Sequence, residues 1–222
     1  MPRVIVITGT NTGSGKTVLT ALLARYLRKA GVPAAAIKPI CSGGRADAHA
    51  LLAACDSLHL DEINPWHFRA ALAPLLAARR EKQTVTLHDV VAHVRAMAHR
   101  FDPVLVEGAG GLLSPLGEHF STRELIATLN ADVIVAAKNE LGVVNQARLT
   151  LEALPPLVRP RVRFALMAPK RENIVSRTNR QLLAEFTNPE NIFPLPWFAR
   201  PQAHDSILNS RRVESTLAAL IH

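Results

Sequence analysis

A β-branched, apolar run of strand length, residues 3–8, leads at once into Gly9-Thr10-Asn11-Thr12-Gly13-Ser14-Gly15-Lys16-Thr17. Apolar residues at helical spacing follow: Val18, Leu19, Leu22, Leu23, Tyr26 and Leu27, with Gly31 as a stop. A buried strand that turns through glycines straight into a helix gathers backbone amides at the helix N-terminus. Glycines let those amides approach an anion closely, and the N-terminus favours negative charge. The Gly-Lys-Thr tail adds an ammonium for the terminal phosphates and a hydroxyl for magnesium. The usual phosphate-binding loop has its first glycine six residues before the lysine; here Thr10 holds that place and Gly9 lies one earlier. The competing account is a glycine-rich turn ending in a chance Gly-Lys-Thr, and the flanking strand and helix weigh against it. The motif implies a nucleoside triphosphate and does not name a reaction.

Downstream, strand-length runs at 34–38, 104–107, 133–137, 162–167 and 192–194 alternate with helical patterns at 47–54, 144–154, 176–186 and 212–221. Thr86-x-x-Asp89 and Ser121-x-x-Glu124 read as capping boxes that open further helices, the first running to about residue 100. Asn64-Pro65 marks a turn, Pro155-Pro156 a break, and Pro74 disfavours one continuous helix over 70–80. This alternation predicts an α/β fold of P-loop type, a mostly parallel sheet flanked by helices on both faces. Ligands in such folds lie at the carboxyl ends of the strands, which singles out the loops after Thr8, Lys38, Glu107, Ala137 and Met167. The 222 residues suit one domain, 1–222, with no internal repeat or linker.

The formal net charge of +8 allows two accounts, an anionic ligand or an arginine-rich surface. The arginines are scattered in pairs such as Arg79-Arg80 and Arg211-Arg212, so no nucleic-acid partner is expected. No segment reaches membrane-spanning length. Cys41 and Cys55 fit neither a zinc motif nor a disulfide framework, which points to a reducing, cytoplasmic setting. His88, His93 and His99 share one predicted helix without forming a cluster and read as structural.

Two loops add chemistry. Lys38-Pro39-Ile40-Cys41-Ser42-Gly43 places a cation and a hydroxyl after the second strand; Lys38 is either a ligand group or a solvated strand end. Glu107-Gly108-Ala109-Gly110-Gly111 ends an apolar strand with a carboxylate, which either holds magnesium or caps a tight turn.

Together these segments resemble the dethiobiotin synthetase family along nearly the whole chain. The resemblance is carried by Gly-Thr-x-Thr-x-x-Gly-Lys-Thr at 9–17, Lys-Pro-x-x-Ser-Gly at 38–43, and Glu-Gly-Ala-Gly-Gly at 107–111. Asp47-Ala48, Asn64-Pro65, Leu141-Gly142-x-x-Asn145 and Pro196-Trp197 extend it. It implies an ATP-dependent ring closure on 7,8-diaminononanoate with carbon dioxide, through a carbamate and a carbamic–phosphoric anhydride. Asn11, Gly13, Ser14, Gly15, Lys16 and Thr17 would wrap the phosphates. Thr17, Asp47 and Glu107 would hold Mg2+, and Lys16, Lys38, Thr12 and Ser42 would carry the reaction. The last three would position the carbamate. A homodimer is implied, with Gly142 and Asn145 near the partner's site, holding the substrate carboxylate. Asn11 stands where the family usually has Asp, and Gly13 where one branch has Glu. Ala168-Pro169-Lys170 replaces an Asn-Asp whose asparagine reads adenine. Base reading is therefore expected from backbone groups near Pro196 and Phe198 or from shape, with weak discrimination or a preference other than ATP. Two alternatives remain open, a related P-loop ligase with another substrate and a partitioning-type ATPase switch. The latter typically carries an early second lysine where Thr10 and Asn11 stand here.

Overall fold

β1 (Val4–Gly9) is buried from Ile5 to Gly9, as suits a largely apolar, β-branched strand in the middle of a parallel sheet. The structure of the chain is a computed structural model, and it describes residues 2–55, 57–198 and 208–221. α1 (Lys16–Lys29) follows the glycine loop and turns Leu19, Leu22, Leu23 and Leu27 onto the sheet. Leu22 and Leu23 are fully buried, so truncating either to alanine would cost ~2–5 kcal/mol. Gly31, with φ at 75°, stops the helix where expected.

β2 (Ala35–Ile37) lies within its expected span. The chain then leaves the main sheet. β3 (Ile40–Ser42) pairs in parallel with β4 (Trp66–Phe68) in a separate ribbon, and α2 (Ala46–Leu52) and the one-turn α3 (Leu60–Ile63) fill the connection. α4 (Pro74–Arg80) begins at the proline, whose missing N–H is harmless in a first turn. α5 (Leu87–Ala98) opens on the Thr86/Asp89 capping box. β5 (Val104–Glu107) re-enters the sheet, and a small antiparallel hairpin of β6 (Pro115–Gly117) and β7 (Phe120–Ser121) follows. α6 (Thr122–Leu129) carries the Ser121/Glu124 box. β8 (Asp132–Lys138), α7 (Val143–Ala153), β9 (Arg163–Met167), α8 (Ile174–Ala184), β10 (Ile192–Leu195) and α9 (Arg211–Ile221) complete the alternation. α8 starts two residues before its expected start because Asn173 and Ser176 form a further capping box.

The main sheet has six strands in the order β10-β9-β8-β1-β5-β2, all pairs parallel. β5 therefore lies between β1 and β2. Register sets Ile7 beside Glu107 and Ile37 beside Val106. Three loops far apart in sequence thus open side by side at one sheet edge, where neighbouring strands are only about 4.8 Å apart.

Candidate active site

The loop after β1 leaves its helix without a side-chain cap. Gly15 is the N-cap residue at φ 95°, no side chain bonds the first amides, and the first turn holds no acidic residue. By contrast α5, α6 and α8 satisfy theirs with capping boxes. An uncapped N-terminus whose amides face a cavity suits an anion. Gly13, at φ 74°, and Gly15 sit in the left-handed region that side chains disfavour. Ser14 is buried with an unpartnered Oγ, and Asn11 folds its side chain back to accept from the Thr12 amide. Neither lines the cavity, whereas Thr12, Gly13, Gly15, Lys16 and Thr17 do.

That cavity measures ≈ 810 Å³. Lys16 is buried there, and its Nζ donates to the Asn11 carbonyl at 3.1 Å. Burial pushes its pKa down; Glu107 opposes the shift and Lys38 adds to it. Lys38 is 5% exposed and donates to Glu107 Oε1 at 2.8 Å and to Asp47 Oδ2. Burial lowers its pKa, but the Glu107 and Asp47 carboxylates outweigh that and hold it above the ordinary lysine value. Asp47, in the first turn of α2, loses some acidity to burial, yet Lys38 holds its carboxyl below the usual range. Thr17 Oγ1 donates to Glu107 Oε1 at 2.8 Å, while Glu107 Oε2 is buried without a partner.

The backbone of Lys38 is tied on both sides. Its N–H donates to the Ile63 carbonyl at 2.9 Å, and its carbonyl accepts from buried Asn64 Nδ2 at 2.9 Å. Asn64 also reaches the Pro39 carbonyl, so this side chain staples the departure of the chain from the main sheet. The Asn64-Pro65 turn hides a residue of structural importance that turn propensity alone does not reveal.

Lys16, Lys38, Thr12, Ser42, Thr17, Asp47 and Glu107 all line the one cavity. Ser42 lines it with its Oγ donating to the Leu72 carbonyl. Gly142 and Asn145 are exposed at the start of α7 and do not line it. Pro196 is exposed and Phe198 packs on the core, also outside it. Sequence reasoning missed Ala71, Leu72, Ala73 and Pro74, which form an apolar wall, and Ser114 and Pro115 on the β6 side. The alanine- and leucine-rich run around Pro74 was their only signal.

On the side of β9 the Ala168 N–H is taken by the Leu195 carbonyl at 2.9 Å. Buried Asn139 donates to the Ser176 carbonyl and accepts from Asn179, so both amides are engaged. Lys170 lies over the Trp197 ring at 5.6 Å from its centroid.

Among the described residues no group of three or more His, Cys, Asp or Glu side chains gathers to hold a metal. Magnesium needs less, since one or two carboxylates with phosphate oxygens and waters suffice. The Thr17 hydroxyl and the carboxylates of Asp47 and Glu107, the latter with its orphaned Oε2, fit that ion.

The six-stranded parallel sheet, with its glycine loop running from the central strand into an uncapped helix, defines a P-loop nucleotide-binding protein. A family model described as "AAA domain" matches residues 3–200. ATP-dependent dethiobiotin synthetase BioD of Anaeromyxobacter dehalogenans (strain 2CP-C) is 39% identical across 99% of both chains. Its counterpart in Anaeromyxobacter sp. (strain Fw109-5) is 45% identical over 68% of this chain and 70% of its own. The chain belongs to the ATP-dependent dethiobiotin synthetase family. Among solved structures, the MinC:MinD cell division protein complex of Aquifex aeolicus superposes with a TM-score of 0.62 at 17% identity, covering 99% of this chain and 96% of that one. The ParA family ATPase from Chlorobium tepidum TLS gives 0.58 at 14% identity, over 100% and 98%. At such identity the likeness concerns the fold alone.

Proposed function

We propose that this protein is an ATP-dependent dethiobiotin synthetase acting as one P-loop domain, and that it closes the ureido ring of dethiobiotin from 7,8-diaminononanoate and carbon dioxide. The observation that carries the reading is the convergence of Lys16, Lys38, Thr17 and Glu107 from three adjacent strand ends on one cavity. One amine adds to carbon dioxide and loses a proton, giving a carbamate. A carbamate oxygen attacks the γ-phosphorus as the bond to ADP breaks, giving the mixed anhydride. The second amine attacks the carbamoyl carbon, phosphate leaves with its bonding pair, and the ring closes with loss of a proton. Both reactants of the phosphoryl step are anionic, so flanking ammonium groups lower the barrier. Lys16 steadies the phosphates beside the amides of Gly13, Ser14 and Gly15, with Asn11 shaping the loop. Lys38, Thr12 and Ser42 orient the carbamate. Thr17, Asp47 and Glu107 would hold magnesium, which supplies divalent charge to the phosphate oxygens when bound. The wall of Ala71, Leu72 and Pro74 suits the alkyl chain.

The functional unit in this reading is a homodimer. α7, like α1, has an uncapped N-terminus with Gly142 at φ 94° and no acidic residue in its first turn. Gly142 and Asn145 would offer that terminus to the carboxylate of substrate bound at the partner's cavity. No helix among the described residues is long and apolar enough to cross a membrane, and Cys41 and Cys55 are both buried. A cytoplasmic location and the absence of a nucleic-acid partner complete the proposal.

The test is turnover with diaminononanoate, bicarbonate, magnesium and each of ATP, GTP, CTP and UTP, read as phosphate release and dethiobiotin mass. Dethiobiotin is expected as product. Discrimination among the bases is expected to be weak, because Ala168 offers no side-chain group and its amide is taken, with Pro196 and Phe198 nearby contributing shape. A missing buried hydrogen bond is worth ~1–3 kcal/mol, so an ATP preference of about a thousandfold would refute the base assignment. Phosphate release without dethiobiotin would refute the substrate.

A further inference from the structure

The groups that would hold magnesium surround an ammonium. Lys38 Nζ bonds both Asp47 and Glu107, and it shares Glu107 Oε1 with the Thr17 hydroxyl. Glu107 Oε2 meanwhile stays buried and unpartnered. Carboxylate and hydroxyl oxygens are the donors a hard divalent cation takes. Charge leads the same way. Lys16 lines the same cavity, so two ammoniums already balance the two carboxylates, and a divalent ion that took both carboxylates would leave Lys38 without a counter-ion. An ammonium as buried as Lys38 is not left unpaired at small cost. It must then turn to another anion, and the cavity beside it is where Thr12 and Ser42 stand.

We propose that Lys38 is the resident counter-ion of the metal site, and that an entering divalent cation displaces its ammonium into the cavity to hold the anionic group of the substrate. The inference rests on the metal assignment in the proposed function. It makes Lys38 a group with two stations, and it couples the two ligands. Substrate arriving before the metal meets a lysine already neutralised; substrate arriving after it meets a free one. By linkage, each ligand then raises the affinity for the other.

The test uses the full chain without nucleotide and Mn2+ as an EPR-visible probe. Lys38→Met is expected to bind Mn2+ about tenfold or more tightly than wild type, because a competing cation has been removed. Equal or weaker binding in a folded Lys38→Met protein overturns the displacement. Should that variant fail to fold, wild type decides through pulsed reductive methylation of amines, read by mass spectrometry. Lys38 is expected to be protected without divalent ion and to become modified when Mg2+ and ADP are added; unchanged protection overturns the proposal. Glu107→Gln separates this from the underlying reading. If it leaves Mn2+ binding in the presence of ADP unaltered, the metal assignment itself falls. If it weakens that binding while Lys38 shows no exchange, only the displacement is wrong.

Discussion

Lys16 shows how a ligand-binding group differs from a stabilising one. Its ammonium is buried with one carbonyl partner, and burial opposes its charge. Removing it should relieve the free protein while disabling the reaction. Lys16→Ala is expected to lose about 100-fold or more in turnover, since a preorganised charge on a transferring phosphoryl group is worth a few kcal/mol. Its thermal midpoint is expected to equal or exceed that of wild type, as for residues kept for function at the expense of stability. A folded Lys16→Ala protein with near-normal turnover would remove the phosphate role, and a marked drop in midpoint would make Lys16 structural.

Among the elements, the capping pattern separates helices that complete themselves from helices that face a ligand. α3 shows the first kind at small scale. Glu62 accepts from the His59 amide at 2.8 Å and pairs with Arg100, while its carbonyl meets His93 Nε2 at 2.8 Å. The Arg100 bond, then the His59 amide, hold the Glu62 carboxyl below its usual pKa. A carboxylate whose folded pKa is depressed contributes stability above its unfolded pKa and loses it as pH falls through the folded value. Glu62→Gln keeps an oxygen for the His59 amide but loses the charge paired with Arg100, and should therefore cost up to about 1 kcal/mol at neutral pH, the worth of a partly exposed ion pair. Denaturation curves of the two proteins should converge below about pH 4, under the ordinary carboxylate value; a difference constant with pH would assign the loss to packing. His93, read as structural from the sequence, lies within this network, edge-on to Trp66.

The sequence was legible where elements are long or carry local chemistry. β1, α1, the Thr86 and Ser121 boxes and the loop around Lys16 depend on residues within a few positions of one another. β3, β4, β6 and β7 were illegible because two or three residues hold no period, and their pairing is decided by distant partners. The same limit applies to the apolar wall at Ala71–Pro74, which lines the cavity only through tertiary placement.

For the whole molecule the question is whether a complete site spans two copies. Gly142 and Asn145 lie away from their own chain's cavity, and Leu141 beside them is 83% exposed. Asn145→Asp places a negative charge in the first turn of α7, which favours the helix but repels a carboxylate. It is expected to be nearly inactive at substrate concentrations that saturate wild type. Mixing it in equal amounts with inactive Lys16→Ala and allowing exchange should restore about a quarter of wild-type activity, because half the dimers would carry one intact composite site. No recovery would place the whole site within one chain.

The staple by Asn64 bears on time. With the Lys38 amide tied to Ile63 and its carbonyl tied to Asn64, the backbone at this strand end is held on both sides. Any relocation of the ammonium runs through rotation of side-chain bonds. Rotamer changes of exposed side chains take picoseconds to nanoseconds, while loop and domain rearrangements that gate many enzymes take microseconds to milliseconds. Even a burial that slowed the rotation by several orders of magnitude would leave it faster than a typical turnover of about 10 per second. Cation exchange at Lys38 would thus stay at equilibrium throughout the catalytic cycle, and the slow step would belong to chemistry or to product release.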